Sequence, residues 1–242
     1  MSGYIVNENE TFKTFLRTKR LLMSGKFPII IKFLKKEASL IIEIVKGVSD
    51  SNKKIIEMGC GSGRLLEELK NNNFVACGFD NDKLYVKYCK KRKLDVFYGD
   101  AIKKLPPKLR GKFKAVIIGF NTLFNFNKNL RKKWINNAKF LLEKDGLLMF
   151  TVYADNKITR MGVKKRVGFY KESIKPKKNY VIRFSPRKSR VEMVYRNKTV
   201  WFSEWKTKNK IEKEIKSWKG FKPKLVKLLD GKIAYFVELL KS

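Results

Sequence analysis

Histidine and glutamine are both absent from this chain of 242 residues, and acids are scarce, with 22 Asp and Glu against 57 Lys and Arg. Without histidine there is no imidazole to serve as general base near neutral pH, and the commonest metal ligand is missing. A zinc or iron centre is therefore not expected, and any catalysis must rest on other groups. Cysteine is nearly absent too. Cys60, Cys77 and Cys89 form no Cys-x-x-Cys pair, which excludes a disulfide framework and predicts a reducing, cytoplasmic setting. Long apolar runs are also missing. The stretch 27–34 is too short to span a bilayer and carries Lys32, so no membrane segment is expected, and the polar N-terminus does not resemble a signal peptide.

The shortage of acids leaves a net charge of +35, of which residues 1–150 hold +17 and residues 151–242 hold +18. The C-terminal part is thus the more basic per residue. Two readings stay open: a surface that docks a polyanion such as RNA, or a lysine-rich composition with no particular partner. Charge alone does not choose between them.

What is present is more specific. Residues 55–69 run from a short apolar strand, Ile55-Ile56, into an acid, Glu57. Three glycines follow at two-residue intervals, Gly59, Gly61 and Gly63, with Cys60 between the first two, and then a helix with leucines at 65, 66 and 69. A strand that turns on glycines into a helix suits a ligand whose polar tail approaches bare backbone N–H groups. A nicotinamide or flavin fingerprint would read Gly-x-Gly-x-x-Gly. Here Arg64 stands where its last glycine belongs.

The pattern acid-x-Gly-x-Gly-x-Gly resembles the first motif of the class I S-adenosylmethionine-dependent methyltransferases. The downstream sequence extends the resemblance across roughly 54–153. A strand over 74–79 ends at Asp80, which the resemblance places on the ribose hydroxyls, with Asn81 beside it. A strand over 96–98 leads into Gly99-Asp100-Ala101, similar to the adenine-edge motif, where Asp100 and Ala101 would meet the base. Strands over 113–119 and 147–152 follow, the latter entered through Asp145-Gly146. The implied fold is α/β: a Rossmann-like seven-stranded sheet in the order 3-2-1-4-5-7-6 with the last strand antiparallel. The implied cofactor is S-adenosylmethionine, held by Glu57, Gly59, Cys60, Gly61, Gly63, Asp80, Asn81, Asp100, Ala101 and Phe120.

No linker divides the chain, so residues 1–242 are expected to form one unit. Residues 1–50 read as N-terminal helices. Pro28 starts one of them, a stripe through Ile30, Leu34, Ala38, Ile41 and Val45 follows helical spacing, and Gly47 suits a C-cap. Related enzymes use such helices to cover the cofactor, which Tyr4 or Arg20 could then reach. The core spans 51–153. Between 154 and 205 the helical period vanishes, and 168–172, 180–184, 191–195 and 199–202 read as strands of a small antiparallel β lid. Thr207 can cap a helix to Trp218, and 225–229 and 233–240 read as a hairpin around Asp230-Gly231.

Methyl transfer from a sulfonium is an in-line displacement, so an enzyme mainly positions the nucleophile, and an amine with a free lone pair needs no strong base. That suits a chain without histidine. The segment after the fourth strand, Gly119-Phe120-Asn121-Thr122-Leu123, lacks the Asn/Asp-Pro-Pro-aromatic tetrapeptide of methyltransferases acting on base amines. It resembles instead the Asn-Ser/Thr-aliphatic run of small-molecule N-methyltransferases. On that basis Asn121 is expected to orient the acceptor, and Tyr153 to line the pocket, joined by Tyr170, Trp201 and Trp205 from the lid. The expected activity is transfer of a methyl group to a nitrogen or oxygen of a small molecule, without metal. The alternative is an RNA methyltransferase that docks tRNA or rRNA on the basic lid.

Overall fold

The computed structural model describes residues 28–48, 54–156, 180–185, 188–195, 198–229 and 234–242. Expectations that fall on Tyr4, Arg20, Tyr170, the strand over 168–172 and the Asp230-Gly231 turn lie outside these residues, and the Trp201 side chain does too.

The chain opens with helix α1 (Pro28–Val48), then alternates: β1 (Ile55–Met58), α2 (Arg64–Asn71), β2 (Ala76–Asp80), α3 (Lys83–Lys91), β3 (Val96–Tyr98), β4 (Phe113–Ile118), α4 (Lys128–Leu141) and β5 (Leu142–Ala154). A second set follows: β6 (Tyr180–Ser185), β7 (Arg190–Tyr195), β8 (Lys198–Lys206), α5 (Lys208–Lys216), β9 (Phe221–Leu228) and β10 (Ala234–Lys241). Strands β1 to β5 pair in parallel in the order 3-2-1-4-5. β10 lies antiparallel along the far edge of β5, and β9 antiparallel to β10. This is the Rossmann-like order expected, with β10 and β9 in the places of strands seven and six.

The period of two explains both faces of the sheet. Ile55, Ala115, Ile117, Met149 and Phe236 pack on one side with Phe33, Ala38, Ile41 and Val45 of α1. Ile56, Met58, Val116, Ile118, Leu148 and Phe150 face the other side, against Trp134 and Ile135 of α4 and Ile211 and Ile215 of α5. Each Val, Leu, Ile, Met or Phe among them contributes roughly 1.5–3 kcal/mol on full burial. α1 does not stop at Gly47, which is exposed and helical. Helix α3 is capped by the Asp82 carboxylate and α5 by the Thr207 hydroxyl. β9 begins at Phe221, ahead of the expected 225, and takes in Pro223. That residue is tolerated because β9 is an edge strand and the ladder is irregular beside it, between Glu238 and Leu239.

The lid is attached differently from a separate roof. β6, β7 and β8 form the expected antiparallel ribbon, but β8 also pairs in parallel with β5 through Tyr153↔Trp205 and Ala154↔Lys206. Since β10 holds one edge of β5 and β4 the other, β8 takes up the edge where β4 ends. The lid strand therefore stands over the carboxyl end of β4.

Candidate active site

In an open α/β sheet the ligand crevice lies outside the carboxyl ends of the strands, where the order reverses. Here that point falls between β1 and β4; Glu57, the glycine loop, Asp80, Phe120 and Asn121 lie at the carboxyl ends of the strands about it, Tyr153 near the end of β5, and Asp100 and Ala101 past β3 at the sheet edge.

The loop 59–63 is tied down from several directions. Gly59 and Cys60 donate backbone N–H bonds to the Phe79 carbonyl at 2.8 and 3.1 Å, and Gly63 donates to the Cys60 carbonyl at 2.9 Å. Gly61 donates to Asp80 Oδ2 at 2.8 Å. The N–H groups of Gly59, Cys60, Gly61 and Gly63 are thus spent within the protein, because the tight turn brings these four onto an acceptor of β2 or of the loop itself. What the loop offers instead is close approach. A Cβ built on Gly61 meets nothing within 4 Å, whereas one on Gly59 would lie 2.9 Å from the Trp134 ring and one on Gly63 2.6 Å from Leu94 Cδ1. All three glycines have positive φ, of 68°, 50° and 73°. Two of them serve packing, and Gly61 faces open space.

Asp80 is buried, and its second oxygen accepts the N–H of Asp82 at 2.9 Å. Burial raises its pKa, against the pull of these backbone bonds. The Asn81 N–H also bonds to this carboxylate, so of its roughly four lone-pair sites about one is left for a further donor. Asn81 is exposed beside it. Asp100 caps its own turn, accepting the Ile102 N–H at 3.0 Å, and Ala101 is buried behind it.

Glu57 is buried, and its Oε2 has no hydrogen-bond partner among the described residues. Desolvation pushes its pKa well above the usual carboxylate range, offset in part by Arg64 and reinforced by Glu37, Asp80 and Cys89. An unsatisfied buried carboxylate is costly for a fold to keep. At the crevice, that oxygen could accept from a cationic or hydroxylated group.

Glu37 was missed by sequence reasoning, which read α1 as an apolar cover. It is 0% exposed. Its Oε1 accepts the Phe120 N–H at 2.9 Å and the Thr151 hydroxyl at 2.7 Å, while Oε2 pairs with Arg64. Gly119 separates it from Glu57: a Cβ there would be 3.5 Å from Glu57 Oε1 and 3.6 Å from Glu37 Oε1. The signal available was an acid on the buried stripe of a helix, four residues after Phe33.

Past Gly119 the chain takes two successive left-handed residues, Phe120 at φ 52° and Asn121 at φ 60°. Such positions cost about 1–3 kcal/mol each and persist only when the surroundings fix them. Glu37 holds the first, and the Thr151 hydroxyl accepts the N–H of the second at 3.2 Å. The Asn121 side chain is itself committed. Its Nδ2 donates to Ser203 Oγ at 2.9 Å and to the Glu204 carbonyl at 3.2 Å, and its Oδ1 accepts the Tyr153 N–H at 2.8 Å. Asn121 is 1% exposed, so both amide donors tie the lid strand β8 to the loop and neither remains for an acceptor molecule. Tyr153 is half-buried in a ring cluster with Phe120 and Phe33, centroids 6.1–6.2 Å apart. Trp205 is fully buried as β8 meets β5.

A second ion network, also unread from the sequence, anchors the lid. Arg131 of α4, buried, donates to Glu214 at 2.7 Å and Glu204 at 3.2 Å, and lies 4.9 Å from the centre of the Phe124 ring. Lys206 joins through Glu204 at 2.8 Å. Among the described residues no cluster of three or more metal-ligating side chains occurs, and no helix is long and apolar enough to cross a membrane.

Comparison with known proteins agrees with this fold. Residues 31–176 match the family described as Methyltransferase domain. The fold is shared with an S-adenosylmethionine-dependent methyltransferase from Clostridium acetobutylicum, at TM-score 0.61 and 13% identity over 92% of this chain and 99% of that one. It is shared with the CcbJ methyltransferase from Streptomyces caelestis, at 0.63 and 10% over 86% and 90%. The glycopeptide N-methyltransferase MtfA complexed with S-adenosylhomocysteine aligns at 0.58 and 13% over 86% and 89%. At these identities the likeness is one of fold. A search of curated proteins finds no match to the sequence.

Proposed function

This chain belongs to the methyltransferase-domain family, as a class I S-adenosylmethionine-dependent enzyme, and from that premise we propose that it methylates a nitrogen or oxygen of an enclosed small molecule. The observation that carries the small-molecule reading is the placement of β8 over the carboxyl end of β4. With Asn121 bonded to β8 and α1 alongside, an acceptor placed next to Phe120 and Tyr153 would lie between these elements. Such a placement suits a compact acceptor. The glycopeptide N-methyltransferase MtfA, with the same fold, gives an example of a nitrogen acceptor. We read 1–242 as one unit, because β8 and β10 both pair with β5.

The residues present fit the cofactor. Gly61 leaves the space a Cβ would fill, Asp80 has acceptor capacity left for a ribose hydroxyl, and Asp100 and Ala101 stand at the end of β3 for the base. Asn81 borders the same edge, while Gly59, Cys60 and Gly63 shape the loop. The orphaned Glu57 oxygen suits an ammonium. When bound, S-adenosylmethionine supplies a methyl on a sulfonium, open to in-line displacement. The chain's own part is positional. Phe120 and Tyr153 present aromatic faces that favour a cationic methylated centre. Asn121 acts as a positioning residue, holding the strained turn and the lid in register. With no histidine in the chain, the acceptor would arrive with its lone pair free, or lose its proton to water.

The test is calorimetry with S-adenosylhomocysteine, on the full chain and on Asp80→Ala, followed by a labelled-methyl assay on metabolite extract and on total RNA in parallel. Micromolar binding lost in Asp80→Ala, with label only in small molecules, supports the reading. Label in RNA, with binding that falls steeply as salt rises, would replace it with the RNA reading.

A further inference from the structure

The residues that close helix α3 grip the glycine loop one position after another. Cys89 Sγ donates to the Gly61 carbonyl at 3.3 Å, and Arg92 Nη1 donates to the Ser62 carbonyl at 2.8 Å. Leu94 lies against Gly63, where a Cβ would come within 2.6 Å of its Cδ1. The platform behind these side chains is itself braced. The N–H groups of Arg92 and Leu94 return to the Cys89 carbonyl at 3.0 and 3.2 Å, and Lys70 of α2 donates to the Lys93 carbonyl at 3.1 Å.

Of the three grips, Arg92 reaches furthest. Its Nη2 pairs with Glu67 in the first turn of α2, so the guanidinium fork joins the loop, the helix that follows it and α3. The guanidinium carbon lies 5.2 Å from the centre of the Tyr88 ring. The Ser62 carbonyl needs such a hold. Ser62 is flanked by Gly61 at φ 50° and Gly63 at φ 73°, two residues whose backbone turns either way at little cost. The Arg92 side chain keeps 26% of its exposure and that of Glu67 keeps 49%, and an ion pair so open to water adds little to stability. The weight of Arg92 therefore falls on the local conformation of Ser62.

We propose that Arg92 is a positioning residue for S-adenosylmethionine, acting through the Ser62 carbonyl without touching the cofactor. With the Gly61 carbonyl turned to α3, the Ser62 N–H of the same trans peptide faces away from that helix. The loop is thereby held in the form that leaves Gly61 open to a ligand. Loss of the bond to Ser62 lets residues 61–63 visit other forms, and a ligand that needs one form binds more weakly in proportion to the fraction that keeps it. Global stability, set by the sheet and its packing, is hardly touched. The inference rests on the cofactor placement proposed above.

The test compares the full chain with Arg92→Ala, Arg92→Lys and Glu67→Gln by calorimetry with S-adenosylhomocysteine, thermal melting and hydrogen exchange. Arg92→Ala should lose affinity about tenfold while melting within about 4 °C of the parent. Its Gly63 amide, which donates to the Cys60 carbonyl at 2.9 Å, should exchange faster in the free protein and regain parental protection at saturating ligand. Arg92→Lys keeps one charged donor for Ser62 and should recover most of the affinity. Glu67→Gln breaks the ion pair but spares the bond to Ser62, and should bind within about twofold of the parent. Parental affinity in Arg92→Ala, or Glu67→Gln binding as weakly as Arg92→Ala, would overturn the proposal. A loss of affinity that comes with a collapse of the melting temperature would make Arg92 a plain stabiliser and overturn it too. If the parent binds no S-adenosylhomocysteine, the cofactor placement fails, and the grip on the loop is judged on the free chain. A faster Gly63 amide in Arg92→Ala then supports it, and an unchanged one sinks it.

Discussion

The carboxylate of Glu37, on the helix that precedes the sheet, accepts the backbone N–H of Phe120 at 2.9 Å, 83 residues further along the chain. One buried acid thereby joins α1 to the strained turn after β4, to Thr151 of β5 and to Arg64 at the start of α2. Replacing it with leucine leaves two donors and a guanidinium without their acceptor. Because Arg64 keeps 30% of its side-chain exposure, water can take over part of its solvation, and a loss of about 3 kcal/mol is expected. Glu37→Gln keeps an acceptor for Phe120 and should cost less than half as much. Urea midpoints of the two variants check this; equal and small losses in both would show that α1 packs without the carboxylate.

The contrast between Glu37 and the glycine loop shows which parts of the molecule were legible in the sequence. Glu57, the glycines, Asp80 and Asp100 carry their meaning in local order: a strand ends, the chain turns, a helix starts. That order is repeated by the βαβ units, so the strand sequence and the crevice could be read, while the sheet order followed from the family resemblance. Glu37 and Arg131 act through partners tens of residues away; the buried stripe of α1 marks Glu37 as enclosed, but nothing near either residue in sequence names those partners. The amide of Asn121 was read as facing an acceptor because its neighbours resemble an acceptor-facing run. In the structure β8 reaches it first, and that strand's parallel attachment to β5 through Tyr153 and Ala154 is a two-residue pairing that no periodicity announces.

The three glycines of the loop should separate in mutagenesis. An alanine at Gly59 would press on Trp134 and Thr122, and at Gly63 on Leu94 and Cys89, each at a left-handed φ. Both substitutions should destabilise by about 2–4 kcal/mol, from backbone strain of about 1–2 kcal/mol plus overpacking. Gly61→Ala meets no atom and carries the backbone term alone, so it should melt near the parent while losing affinity for S-adenosylhomocysteine at least tenfold. Thermal melts beside calorimetry decide the matter, and unchanged affinity in Gly61→Ala would refute close approach at this residue.

Asn121→Ala should behave as damage to a joint. It strips a partner from the Tyr153 N–H, the Ser203 hydroxyl and the Glu204 carbonyl, all at the seam of β5 and β8, for a loss of about 2–4 kcal/mol. Hydrogen exchange should quicken at Tyr153 and along 203–206 while the β1–β2 region stays protected. Turnover should fall together with a rise in KM, as the roof of the acceptor site shifts. A drop in kcat alone, with the seam still protected, would instead make the amide a direct partner of the reacting molecule.

Glu57 makes the site dependent on pH in a defined direction. Its folded-state pKa is raised by burial, so the folded form holds its proton more tightly than the unfolded chain, where glutamate titrates near about 4.3. The protein is therefore penalised as pH rises through the raised value, and is free of the penalty below the unfolded one. Asp80 is shifted the same way by its burial, and adds to the trend in parent and variant alike. Glu57→Gln removes the ionisable group while keeping its shape. It should be more stable than the parent at about pH 8, with the advantage shrinking as pH approaches the unfolded-state value, and it should bind S-adenosylhomocysteine more weakly. In the parent, a ligand ammonium against Glu57 favours the ionised carboxylate, so binding should release a proton and the measured enthalpy should vary with the ionisation heat of the buffer. Urea midpoints of both proteins across this pH range test the first half and calorimetry in two buffers the second. A variant that is less stable than the parent at every pH would mean that the buried carboxyl holds the crevice together, and that its unpartnered oxygen is no reserve for a ligand.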